Sequence, residues 1–76
     1  MSIEVTAELT AAVLRVVVDP GAHVDEGDSL LIVESMKMEI PVLAPRPGIV
    51  RAIHVAPQQL VSEGDVLAVL DPSVSP

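Results

Sequence analysis

Apolar and polar residues alternate at the start of the chain: Ile3, Val5 and Ala7 are separated by Glu4 and Thr6 and followed by Glu8. A period of two is that of a half-buried strand. Ile40, Val42 and Ala44 repeat the pattern later. Residues 12–18 are rich in β-branched side chains, which suit a pleated surface better than a helix. Residues 48–55 answer them, with Val16/Ile53 and Val18/Val55 as the expected inward pairs. Asp19-Pro20-Gly21 and Ala56-Pro57-Gln58 end these runs as turns. Further apolar runs, at 30–34 and 66–71, each follow a Glu-Gly-Asp unit. A Gly at the same place in both units, Gly27 and Gly64, marks a backbone position of positive φ. The next residue, Asp28 or Asp65, is suited to accept a hydrogen bond from a turn amide. No window has a helical period, and prolines at 20, 41, 45, 47, 57, 72 and 76 punctuate the chain. Short strands at even spacing predict an all-β sandwich or barrel, in which Pro41 belongs at an edge or a bulge.

The two halves are copies. Residues 3–34 align without a gap on residues 40–71 at an offset of 37, and eleven of the 32 pairs are identical. Chance would give roughly two or three. Two copies are too few for a solenoid, which needs about three or more units, and suit one closed domain over residues 1–76 with a quasi-two-fold axis.

Composition narrows the possibilities. With 76 residues the chain is one small domain, and half of them are apolar, which supplies a dense core. Eleven carboxylates against four Lys and Arg give a formal charge of −7, and there is no Phe, Tyr or Trp. Such a chain repels phosphate and offers no ring for base stacking, so nucleic acid is not an expected partner. There is no cysteine, hence no disulfide or thiolate metal site, and no apolar run near the length of a membrane span. The N-terminus lacks a basic region followed by an apolar run. The expectation is a soluble, cytoplasmic protein without a membrane partner; Met1 and the lack of a Pro/Ala-rich linker favour a whole gene product. His23 and His54 fall at different points of the repeat with no carboxylate at ligand spacing, so no metal site is expected; His54 is placed in a strand, at the surface or rim. No catalytic triad or phosphate loop can be assembled.

Lys37 is the only lysine, and it falls between the two copies, inside Glu34-Ser35-Met36-Lys37-Met38-Glu39. If 30–33 and 40–44 are adjacent antiparallel strands, Met36-Lys37 is the hairpin tip. An exposed lysine is ordinarily a solvated turn residue. Its uniqueness, its place at the junction and its two methionine neighbours set this one apart. Flexible, polarizable Met suits a surface that meets several partners, although one of the two is free to pack back onto the barrel. The position equivalent to Lys37 is Val74, so two-fold symmetry places both chain ends at the pole opposite the lysine.

Glu34-Ser35-Met36-Lys37-Met38 resembles the attachment motif of biotinyl domains, the biotin carboxyl carrier family. The gapless repeat and paired Gly-Asp turns extend that resemblance over nearly the whole chain. It implies a flattened β-barrel of two four-stranded antiparallel sheets; the gapless repeat leaves no room for the thumb loop that some bacterial carriers insert in their first half, so no protruding loop is expected between residues 18 and 30. The resemblance further implies a biotin ligase that joins biotin to Lys37 through an amide and recognises Glu34, Ser35, Met36, Met38 and Glu39. The biotin then acts as a swinging arm that carries carboxybiotin between a biotin carboxylase and a carboxyltransferase, the chain itself not being an enzyme. One departure stands out: the first copy reads Ala7-Glu8-Leu9-Thr10-Ala11 where many members have Ala-Pro-Met-x-Gly, while the second keeps Ala44-Pro45-Arg46-Pro47-Gly48. Two other functions compete, a lipoyl-type carrier domain and an unmodified β-barrel interaction module. Lipoyl domains typically flank their lysine with Asp and Ala, and an interaction module has no need of the lysine.

Overall fold

The structure is a computed structural model and describes residues 2–72. Eight strands follow one another: β1 (Ile3–Thr6), β2 (Ala11–Val16), β3 (His23–Val24), β4 (Ser29–Ser35), β5 (Met38–Leu43), β6 (Gly48–Ile53), β7 (Leu60–Val61) and β8 (Val66–Pro72). They form two four-stranded antiparallel sheets, ordered β1-β8-β6-β3 and β5-β4-β2-β7. A shift of 37 residues converts each order into the other, so the sheets are related by a pseudo-two-fold axis. The long dimension is 43 Å against 18 and 17 Å.

The core repeats as well. Ala7/Ala44, Val13/Val50, Val24/Val61, Leu30/Leu67, Leu31/Ala68 and Val33/Leu70 are all buried. Leu31 opposite Ala68 and Val33 opposite Leu70 exchange large for small in opposite senses, which lets two unequal copies fill one interior. Val16, Val18, Ile53 and Val55 are half-buried against this core. Leu30 and Leu31 are adjacent yet both fully buried, against the alternation of a regular strand. Between β4 and β5 the pairing passes from Ser29↔Leu43 to Leu31↔Val42, leaving Leu30 unpaired there. The same bulge skips Leu67 between β8 and β1. A bulge puts one extra residue on the same face and bends the strand, which closes the flattened barrel.

The turns follow their chemistry. Gly27 and Gly64 have φ of 90° and 92°. The carboxylates of Asp28 and Asp65 accept hydrogen bonds from the amides of Asp25 and Ser62, each at 2.8 Å. A Cβ added at either glycine meets nothing within 4 Å, so the constraint is the backbone conformation alone. Gly27→Ala is therefore expected to cost about 1–2 kcal/mol and to lower the melting temperature by about 5–10 °C; an unchanged thermal melt would contradict this account of the turn. At the other turn, Gly21 has φ 94° and its counterpart Gln58 has φ 73°, so the second copy holds a side chain where the first uses glycine.

Residues 18–29 match 55–66 turn for turn, and no thumb protrudes. Pro41 sits on β5, an edge strand, where a missing N–H costs no ladder bond to a further neighbour. His54 lies one residue beyond β6 rather than in a strand, although its amide still donates to the Leu67 carbonyl at 2.9 Å. Val74 lies outside the described residues. The strands that begin and end the described chain, β1 and β8, are paired with each other and are the repeat counterparts of β5 and β4. The two-fold thus carries the β4–β5 tip onto the pole where the chain enters and leaves.

Candidate functional site

Pairing between β4 and β5 runs from Val33↔Ile40 through Glu34↔Glu39 to Ser35↔Met38, leaving Met36 and Lys37 as a two-residue loop. Such a short loop matches the strand twist in a type I′ or II′ turn, and the I′ form needs positive φ at both residues, which Asn-Gly or Gly-Gly normally supplies. Here φ is 53° at Met36 and 64° at Lys37. For a side chain with a Cβ this costs roughly 1–2 kcal/mol per residue. Strain of this kind persists where the surrounding structure over-determines it, and it clusters at functional sites. Its effect here is to mount a Met and a Lys on a rigid tip in place of the residues that would stabilise the turn best.

Met36 is 92% exposed and Met38 62% exposed, so neither packs back onto the barrel. Lys37, Glu34 and Glu39 are exposed and Ser35 is half-buried. Glu34 and Glu39 face each other directly across the strands, a like-charge pairing that is unfavourable by itself. Arg15 on β2 approaches Glu39 at 3.5 Å; between exposed groups this offsets at most about 1 kcal/mol. No ion pair engages Lys37 among the described residues. Its amine is therefore unpaired on an exposed tip, which is what the acceptor amine of an acyl transfer requires.

Elsewhere there is less chemistry. A cleft of about 400 Å³ runs between the edges of β1 and β5, lined by Val5, Ala7, Val33, Val42 and the rim residues Glu4 and Glu8. Its lining includes none of residues 34–39. His23 and His54 are both exposed. Among the described residues no three His, Cys, Asp or Glu side chains are grouped so as to hold a metal ion.

Known proteins share this architecture. The family model described as "Biotin-requiring enzyme" matches residues 1–70. The chain belongs to the biotinyl-domain family, the non-catalytic carrier domains of biotin-dependent carboxylases. A biotinylated protein TB7.3 homolog from Mycobacterium leprae is 47% identical over 70 residues, which cover 92% of this chain and 99% of that one. Among solved structures, a single-chain, multi-domain long-chain acyl-CoA carboxylase superposes with a TM-score of 0.89 at 30% identity over 97% of this chain; the match spans 7% of the carboxylase. The lipoyl domain of the 2-oxoglutarate dehydrogenase complex from Azotobacter vinelandii superposes with a TM-score of 0.73 at 23% identity, covering 86% of this chain and 82% of that one. That likeness is one of fold alone.

Proposed function

We propose that Lys37 is joined to biotin through an amide by a biotin ligase, and that residues 1–76 act as a single carrier domain serving a biotin carboxylase and a carboxyltransferase. The observation that carries this reading is the tip itself: the only lysine of the chain, unpaired, held at positive φ between two exposed methionines. Bound biotin carries activated carbon dioxide; everything else the domain does is positional. The bulged, tightly packed barrel holds the tip away from its own surface. The pole opposite the tip, where β1 and β8 meet, leaves attachment to other domains or subunits out of the way. Glu34, Ser35, Met36, Met38 and Glu39 form the surface that a ligase or carboxylase meets first. Acylation removes the positive charge of Lys37, so the loaded tip is more acidic than the unloaded one and suits basic partner surfaces.

Biotin-loaded chain, incubated with a biotin carboxylase, MgATP and labelled bicarbonate, is expected to retain acid-labile label in proportion to its biotin content. Fully biotinylated chain that retains no label would refute the carboxyl-carrier role.

A further inference from the structure

We infer that the thioethers of Met36 and Met38 form a reversible oxidation site that controls enzyme access to Lys37, an inference that rests on Lys37 being the biotin acceptor. Both methionines lie on the exposed tip, one on each side of the lysine, at 92% and 62% exposure. The Ser35↔Met38 pairing closes the loop beneath them, and among the described residues the buried core is built from Val, Leu and Ala with no methionine. No cysteine thiol competes for oxidant anywhere in the chain.

Oxidation of a buried methionine disrupts packing, whereas Met36 and Met38 lie outside the core on the exposed tip. The fold is left intact and the tip is changed. An apolar, adaptable thioether on either side of the lysine becomes a polar, chiral sulfoxide. An enzyme that buries the tip to reach the amine must then strip water from the sulfoxide oxygens without matching donors, which weakens the encounter.

The chemistry closes with hydrogen peroxide as oxidant. A sulfur lone pair attacks one peroxide oxygen, the S–O bond forms as the O–O bond breaks, and the other oxygen leaves as water after proton transfer. Sulfur gives up the two electrons that the peroxide gains. A dithiol, through methionine sulfoxide reductase, removes the oxygen as water and becomes a disulfide.

The test uses the full chain treated with hydrogen peroxide, mapped by peptide mass, melted to check the fold, and then offered to a biotin ligase. Expected are sulfoxides at Met36 and Met38, an unchanged melting temperature, and an initial rate of biotin transfer lowered about five- to a hundredfold. Methionine sulfoxide reductases A and B with dithiothreitol should restore the rate. Transfer at the untreated rate by chain oxidised at both positions overturns the inference, as does a loss of rate that the reductases do not reverse. Failure of the untreated chain to take up biotin would instead overturn the acceptor assignment, and the inference with it.

Discussion

Lys37→Arg is expected to abolish biotin incorporation while leaving the melting temperature within about 2–3 °C of the parent, since exposed substitutions rarely exceed about 0.5 kcal/mol. The reasons lie in the tip. Lys37 is exposed and contributes nothing to the core, and arginine meets the same backbone cost at a φ of 64°. Guanidinium preserves the charge but is not the point amine that a ligase acylates. No second lysine can substitute. Streptavidin blotting after co-expression with a biotin ligase, beside a thermal melt of the purified variant, reads both halves of the expectation. Biotin on the variant would sink the assignment of Lys37, and a large drop in melting temperature would mean that the tip is part of the folding core.

Gly48→Ala is expected to act in the opposite way, costing about 2–3 kcal/mol of stability and about 15 °C of melting temperature without touching Lys37. A Cβ at Gly48 would run into the carbonyl oxygen of Asp71, with the carbonyl carbon at 3.2 Å and Pro72 Cα at 3.4 Å. These are backbone atoms of the neighbouring strand and cannot swing aside. The repeat supplies an internal control, because the equivalent residue is Ala11, which is buried and tolerated. The difference is in the pairing: β6 and β8 stay paired as far as Gly48↔Pro72, whereas β2 and β4 stop at Ala12↔Glu34. Relaxation of Gly48→Ala toward the Ala11 geometry would give up that last pair. Differential scanning calorimetry decides the matter, and a variant as stable as the parent would show that the close approach is not constraining.

The main strands were legible in the sequence because period-two alternation and β-branched runs are signals of local origin, and because each half corroborates the other. The turn roles of Gly27, Gly64, Asp28 and Asp65 could be read for the same reason. What could not be read depends on non-local pairing. The two-residue strands β3 and β7 are too short to show a period; they exist because β6 and β2 offer partners. The bulges at Leu30 and Leu67 break alternation only once register is known. Gly48 could be recognised as part of a motif, but not as a point where two backbones meet. At the tip, the loop of Met36 and Lys37 was foreseeable from the spacing of the strands, yet its positive φ was hidden because neither residue is a turn former. The exposure of both methionines likewise became visible only with the strands in place.

The central claim, that this domain presents Lys37 for biotin, is tested most directly by the intact mass of the unmutated chain made together with a biotin ligase and supplied with biotin, followed by fragmentation to locate any addition. The account predicts a single biotinyl increment, carried wholly on Lys37. A folded chain that gains no increment, or one whose increment resides on the α-amino group, would contradict it.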